Sequence, residues 1–346
     1  MTTTIEGNSS VPKHVLQVTT HDMHTGGEPL RIITSGLPDL KGSTILEKRK
    51  YAKQNLDHYR KLLMNEPRGH KDMYGAILFQ EKPNVFGVLF LHNEGYSSMC
   101  GHGVIALGRY VVDYKLVKPV SPETKVTFNC PCGPVQTYVE YNNHLSGLVH
   151  FESVPAFVYK LGAEIFVPKI GKLLIDVAYG GAFYAIISDK NVTLDLKSTP
   201  LTEIIDVAGR ITEAVKKQLP IVHPEKEELS FLYGTIITDG KDKFADGAST
   251  NICVFADKEV DRSPCGFGVT ARMALQWKKG FMKQNEEKEF KSIVGTTFTG
   301  RVIDETAVGD FPAVIVEVSG MAYHTGDHTF YLECHDELKE GFQLPR

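Results

Sequence analysis

Cys100-Gly101-His102-Gly103-Val104-Ile105-Ala106 and Cys265-Gly266-Phe267-Gly268-Val269-Thr270-Ala271 share the pattern Cys-Gly-x-Gly-Val-x-Ala. The second copy begins 165 residues after the first, close to half of the 346-residue chain. That period is far too long for a solenoid. Each copy opens an apolar stretch of helical spacing, with Val104, Leu107 and Val111 in the first and Val269, Met273 and Trp277 in the second. The pattern predicts two similar domains, each presenting one cysteine at a helix N-terminus. The first is expected to comprise residues 1–125 with 325–346 and to carry Cys100; the second, residues 126–324, carries Cys265.

Outward from these stretches the chain reads mostly as strands. Val15-Leu-Gln-Val-Thr-Thr alternates, and Ala76-Ile-Leu-Phe and Val85-Phe-Gly-Val-Leu-Phe-Leu are short apolar runs bounded by turn residues. Further strands are expected at Leu173–Ala178, Ala182–Ile187, Tyr233–Thr238, Ile252–Ala256 and Ala313–Val318. Charged helical stretches occupy 45–64 and 201–218, and Asn285-Glu-Glu-Lys-Glu reads as a solvated surface segment.

The balance of 38 basic against 42 acidic residues, without a basic stripe, argues against nucleic acid as a partner. No apolar run approaches the roughly 18 residues of a membrane span. Met1–Ser10 has neither an apolar segment nor arginines, so no targeting signal is read there and a cytoplasmic protein is expected. The six cysteines, at 100, 130, 132, 253, 265 and 334, are read as reduced thiols rather than a disulfide framework. Cys130-Pro-Cys132 is too closely spaced for a paired metal site, and its thiols are read as structural, at a turn.

A cysteine at a helix N-terminus meets about half a positive charge and N–H groups without intrahelical partners. Both favour the thiolate, and the glycines let a carboxylate approach the backbone. Two such cysteines facing one pocket suit removal of a proton from one face of a carbon and delivery of another from the opposite face. Three other readings stand beside this one. A buried free cysteine is commonly an inert small hydrophobe. Gly-x-Gly-x-x-Ala also fits a dinucleotide fingerprint with Glu286 or Glu287 as its acidic partner, although alternating βαβ organisation is lacking around either copy. A nucleophilic thiol forming an acyl-enzyme would need a histidine and an orienting group, which sequence does not place in space.

Other segments combine polar residues with turn formers. His21 and His24, in Thr20-His-Asp-Met-His-Thr-Gly-Gly-Glu-Pro29, read as hydrogen-bonded histidines at a turn rather than metal ligands, so no metal is expected. Arg68, in Glu66-Pro-Arg-Gly-His70, reads as a solvated loop residue. Gly180-Gly181 beside Tyr179, Phe183 and Tyr184 suits close backbone approach or a ligand wall. Gly295-Thr-Thr-Phe-Thr-Gly-Arg301 is similar. In Asp261-Arg-Ser-Pro264, the proline ends any strand and aims Cys265 into the open, while Asp261 pairs with a substrate ammonium, with Arg262 or with a backbone amide.

Together, Asp22-Met-His-Thr-Gly-Gly-Glu-Pro, Glu66-Pro-Arg-Gly-His, Met99-Cys-Gly-His-Gly, Ala178-Tyr-Gly-Gly-Ala-Phe-Tyr-Ala, Asp261-Arg-Ser-Pro-Cys-Gly and Phe298-Thr-Gly-Arg resemble the proline racemase superfamily over nearly the whole chain. Gly101–Arg109, Leu232–Asp242 and Thr250–Asp257 are most similar to its animal trans-3-hydroxy-L-proline dehydratase branch. The resemblance implies an α+β fold of two pseudo-symmetric, diaminopimelate-epimerase-like domains, each a mostly antiparallel sheet around a central helix, with the active site in the cleft between them. It implies no cofactor, a small imino acid as substrate, and is compatible with a homodimer. By the same analogy Cys100 accepts the proton, Gly101, His102, Gly266 and Phe267 bracket the carboxylate or ring nitrogen, and Asp261 meets the ring nitrogen.

Two positions depart from the dehydratase pattern. Cys265 stands where that branch carries threonine and where racemases and hydroxyproline epimerases carry cysteine. Phe267 replaces a small residue and is expected to crowd the pocket. In trans-3-hydroxy-L-proline the hydroxyl and the Cα hydrogen share one ring face, so a single base there is enough for elimination. A second thiol opposite would allow inversion. Dehydration to 1-pyrroline-2-carboxylate is therefore the expected activity, with proline racemisation or hydroxyproline 2-epimerisation by the Cys100/Cys265 pair as the alternative.

Overall fold

A computed structural model describes residues 16–344. Val15, the Met1–Ser10 segment and the outermost residues of the expected first domain lie outside them. The protein is α+β, with many strands and few helices. In chain order the elements are β1 (Leu16–Thr25), β2 (Glu28–Ser35), α1 (Ile45–Asn55), α2 (Asp57–Met64), β3 (Tyr74–Lys82), β4 (Val85–His92), β5 (Gly95–Ser97), α3 (Gly101–Asp113), β6 (Glu123–Cys130), β7 (Gly133–Asn142) and β8 (Leu145–Glu152). They continue as β9 (Ala156–Val167), β10 (Gly171–Tyr179), β11 (Phe183–Ser188), α4 (Leu201–Gln218), β12 (Leu232–Thr238), β13 (Ser249–Phe255), β14 (Glu259–Asp261), α5 (Gly266–Lys278), β15 (Lys288–Lys291), β16 (Thr297–Val308), β17 (Phe311–Gly320) and β18 (Ala322–Leu332).

One continuous sheet contains all the described strands. Its first ladder runs β18–β1–β2 antiparallel, β2–β3 parallel, β3–β4 and β4–β5 antiparallel, β4–β6 parallel, then β6–β7–β8 antiparallel. Its second runs β9–β10–β11 antiparallel, β11–β12 parallel, β12–β13 and β13–β14 antiparallel, β13–β15 parallel, then β15–β16–β17 antiparallel. β17 also pairs with β9, which closes this second ladder into a barrel, and with β8, which joins the two ladders.

The helices that follow the cysteines are mostly apolar and enclosed by protein, with the buried Arg272 of α5 held by Asn251, Ser249 and Asp242. Val104, Ile105, Ala106, Leu107, Val111 and Val112 are all buried on α3, which packs against β1, β2, β6, β7, β8, β17 and β18. α5 is buried from Gly266 to Gln276 and packs against β9, β10, β11, β16 and β17. Each large aliphatic side chain so enclosed contributes about 2 kcal/mol. α4 follows Pro200 and buries Ile204, Ile205, Ala208, Ile211, Ala214 and Val215 along one stripe, as its spacing predicts.

Four details differ from the sequence reading. The helix expected over 45–64 is two helices broken at Leu56, whose φ of −124° and ψ of 11° leave the helical region. Lys288, expected in solvent, is buried on β15 because its Nζ donates to the Lys243 and Gly247 carbonyls at 2.6 and 2.8 Å. Arg68 is held by Asp336 at 2.6 Å and by the Tyr331 carbonyl at 3.1 Å rather than solvated. The expected domain limits at 125/126 and 324/325 fall inside β6 and β18, the first within an unbroken β6–β7 register and the second at a bulge of the β1–β18 ladder. No helix among the described residues is long and apolar enough to cross a membrane.

Candidate active site

The chain leaves β5 at Ser97, and three residues later Cys100 caps α3 with extended backbone (φ −155°, ψ 112°). Its Sγ turns back to accept the Gly103 N–H at 3.2 Å. Gly103 permits this, because a Cβ there would stand 2.9 Å from Sγ. The second copy brings its sulfur equally close to the matching glycine, since a Cβ on Gly268 would stand 3.0 Å from the Cys265 sulfur, but without a side-chain cap hydrogen bond. Cys265 caps α5 with φ 65° and ψ 93°, a left-handed backbone that a non-glycine residue seldom adopts. Local bonds over-determine it: the Cys265 N–H donates to Ser263 Oγ at 3.1 Å, and the Asn251 amide donates to the Pro264 carbonyl at 3.1 Å.

The two helix starts meet. Atoms of Gly101 and Gly266 come so close that neither position admits a side chain. One small cavity lies there, lined by Cys100, Gly101, His102, Asp261, Cys265, Gly266 and Phe267, all seven residues singled out from sequence. Glu28, Tyr74, Met99, Tyr184, Tyr233 and Phe255 complete its wall. At about 20 Å³ it is closed down to room for about one water. Cys265 is accordingly buried rather than aimed into the open. Phe267 crowds the cavity less than its bulk suggests, because its ring lies over Gly181, where a Cβ would meet it at 2.8 Å. Gly180-Gly181 thus provides the close approach read from sequence, here to the first turn of α5.

His102 is fixed by its partners. Nε2 lies 3.2 Å from the Pro29 carbonyl, which can only accept, so Nε2 carries the proton. Nδ1 is then an acceptor, 3.1 Å from Cys100 Sγ, and the thiol donates to it. Burial lowers the imidazole to about 3, so the ring is neutral. Its two nitrogens serve Pro29 and Cys100, and what it presents to a bound acid is its backbone at the start of α3 rather than its ring.

Sequence reasoning expected both thiols to ionise easily, and in the closed cavity they do not. Burial pushes Cys100 well above the ordinary thiol value; the Gly103 N–H works against this, and the charges of Asp261 and Glu28 add to it. At Cys265 a hydrogen bond with Cys253 lowers the thiol, but burial and the Asp261 charge leave it raised on balance. Asp261 itself is raised to about 6 by burial, opposed by the Ser263 N–H and hydroxyl, which donate to Oδ1 at 2.8 and 2.7 Å. Glu28 is raised well above the usual carboxyl range by burial and then by Asp261. Tyr74 donates to Ser97 Oγ, which lies 2.9 Å from the Tyr233 hydroxyl, and Tyr184 stands 3.9 Å from Cys265 Sγ.

Several wall residues were not singled out from sequence. Glu28 had a signal, an acidic residue wedged between Gly-Gly and proline, but nothing local says it is buried. Cys253 becomes relevant only because β13 places it opposite Asp261 on β14. His21 lies on β1 rather than in a turn, held by Asp327 and by His324, each at 2.7 Å. No group of three or more metal-ligating side chains occurs among the described residues.

Comparison with known proteins adds the following. The proline racemase family model matches residues 20–343. The chain is 52% identical over 328 residues to the trans-L-3-hydroxyproline dehydratase of Xenopus tropicalis, covering 93% of this chain and 94% of that protein. It is 54% identical over 331 residues to the trans-3-hydroxy-L-proline dehydratase of Homo sapiens, covering 93% of each. Among solved structures, a probable proline racemase from Agrobacterium radiobacter K84 with bound carbonate superimposes with a TM-score of 0.87 at 25% identity, over 94% of this chain and 96% of that one.

Proposed function

The chain belongs to the proline racemase family, and from that premise we propose that it dehydrates trans-3-hydroxy-L-proline to 1-pyrroline-2-carboxylate, with Cys100 as the base and no cofactor. The carrying observation is the closed cavity in which Cys100, backed by neutral His102, faces two converging helix N-termini. The identity of more than half the residues shared with the human protein of that name supports the same reading.

The fold has the form such a site needs. The ladder β18, β1–β8 and the ladder β9–β17 follow the same order of parallel and antiparallel steps, each with its cysteine-capped helix placed before the second parallel step. We read them as two pseudo-symmetric halves with the cavity in the cleft between, and place their limits at 153–155 and 321, where the pairings change partner, rather than at 125/126 and 324/325.

The substrate carboxylate lies on the N–H groups at Gly101, His102, Gly266 and Phe267, where both helix dipoles favour negative charge. Its ring ammonium meets Asp261. That cation offsets the Asp261 charge, which adds to the burial that holds the Cys100 thiol up, so binding itself promotes the thiolate. Cys100 removes the Cα proton, the electron pair forms the Cα–C3 double bond, and the C3–O bond breaks. The enamine product becomes the imine by moving a proton from nitrogen to C3.

Cys265 favours a second reading, because a thiol on the far wall of the same cavity can return a proton to the opposite face. Proline or a hydroxyproline without a leaving group at C3 would then be inverted. Incubation in deuterated water separates the two. Pyrroline-2-carboxylate without D-isomer supports dehydration, and D-imino acid without imine overturns it.

A further inference from the structure

Hydroxide leaves carbon poorly, so breaking the C3–O bond needs a proton donor on the hydroxyl's side of the ring. In trans-3-hydroxy-L-proline that side also carries the Cα hydrogen. The donor therefore has to stand with the base, Cys100, in the dehydration reading on which this inference rests.

Most polar groups of the cavity wall are committed elsewhere. His102 has one nitrogen on the Pro29 carbonyl and the other on Cys100. Tyr74 and Tyr233 share the Ser97 hydroxyl. Tyr184 stands by the opposite sulfur, Cys265. Asp261 takes both Ser263 donors on Oδ1. Glu28 differs. Its residue is 0% exposed, Oε2 accepts the Arg262 N–H at 2.6 Å, and Oε1 is buried with no hydrogen-bond partner. Such an orphaned oxygen inside a cavity destabilises the fold unless a ligand satisfies it.

The chain around Glu28 is clamped to the start of α3. Thr25 Oγ1 donates to the His102 carbonyl at 2.9 Å, and the Pro29 carbonyl accepts from His102 Nε2 at 3.2 Å. Glu28 lies between these two anchors, so its backbone belongs to the half that carries Cys100, while its carboxyl reaches across the cavity wall to the Arg262 N–H. We propose that Glu28 is the general acid that delivers a proton to the departing C3 hydroxyl.

The step balances. The Cys100 thiolate takes the Cα proton, the C–H electron pair becomes the Cα–C3 double bond, and the C3–O pair leaves with the oxygen. Oxygen takes the Glu28 proton and departs as water. Afterwards the proton on Cys100 passes to the Glu28 carboxylate through solvent, and the net change is loss of one water. Burial and the neighbouring Asp261 charge raise Glu28 above the usual carboxyl range against the opposing Arg262 N–H and guanidinium, which favours the protonated form an acid needs. Holding the Arg262 N–H accounts for Oε2 alone and leaves Oε1 without a role.

The test is Glu28→Gln, whose amide oxygen still accepts the Arg262 N–H. In the full-length variant, water loss from trans-3-hydroxy-L-proline should fall at least ~100-fold, while Cα hydrogen–deuterium exchange of L-proline falls less than about fivefold. trans-3-Fluoro-L-proline, whose fluoride needs less protonation, should lose fluoride in the variant at a rate near that of the wild type. Equal loss of exchange and of both eliminations would make Glu28 structural and overturn the proposal. Undiminished dehydration by Glu28→Gln overturns it while leaving the dehydratase reading intact. A wild-type enzyme that exchanges and inverts without forming imine overturns both.

Discussion

A Cβ built on Gly101 would lie 2.7 Å from the Cα of Gly266, and one built on Gly266 would lie 2.8 Å from the Cα of Gly101. The two cysteine-capped helices therefore meet backbone to backbone, start to start, with no side chain between them. Two positive helix ends brought together repel each other in an apolar core and are relieved by an anion. A small carboxylate is such an anion, and its binding is tied directly to the geometry that brings the two thiols to one cavity.

Gly101→Ala should therefore damage both stability and activity. The clash is with backbone, which cannot rotate away, so α3 and α5 must separate. A loss of about 1–3 kcal/mol in urea unfolding is expected, with a fall of about 100-fold in kcat/KM from misplacement of the sulfurs. Gly266→Ala should do the same, and the double variant should cost less than the sum, because one separation relieves both contacts. Full additivity would mean that the two helix starts do not share a contact in solution.

Replacing either cysteine should give different losses. Cys100→Ser is expected to lower both Cα exchange and imine formation by at least about 1,000-fold, since a serine hydroxyl is a far weaker acid than a thiol. Cys265→Thr should abolish any inversion yet leave imine formation within about tenfold of the wild type. Following deuterium incorporation, chirality and imine absorbance in one incubation distinguishes the outcomes; loss of imine formation in Cys265→Thr would assign the essential base to the wrong half.

The thiol pH dependence follows from burial. Because Cys100 is raised above the ordinary thiol value, mainly by desolvation and then by neighbouring carboxyls, kcat/KM should climb with pH through the neutral range and keep climbing past pH 8. Alkylation of Cys100 by iodoacetamide should show the same climb. A plateau reached by pH 7 would mean that the helix N-terminus outweighs burial.

His102 should not titrate. Its ring is lowered to about 3 by burial, so its imidazole resonances are expected to stay flat from pH 5 to 8. His102→Gln keeps a neutral donor and acceptor and should lose less activity than His102→Ala; an imidazolium signal near neutral pH would reverse the assigned direction of the Cys100–His102 bond.

Asp261 links stability to pH. Its folded value of about 6 lies above the ordinary 3.8, with burial as the cause. The folded state thus holds the proton more tightly, and this stability is present below pH 4 and lost as pH rises through 6, amounting to about 3 kcal/mol at most. Asp261→Asn should flatten that part of the unfolding free energy between pH 4 and 7. Glu28 contributes in the same direction, so some slope should remain. Denaturant titration at several pH values reads both.

What the amino-acid order determined alone was what is local. The apolar surround of α3 and α5, the stripe of α4 and the cysteine-glycine turns follow from spacing and backbone freedom, and so were legible. The 45–64 stretch misled because a break at Leu56 changes no periodicity, and Lys288 misled because a lysine is charged whether or not two carbonyls wait for it. Tertiary structure decided everything that depends on distance through space. It brought positions 165 residues apart into contact, set Glu28 beside α3 and Cys253 opposite Asp261, and, by closing the cavity on them, made burial stronger than the helix end at both thiols. Desolvation and charge–charge terms depend on neighbours in three dimensions, which no pattern along the chain records.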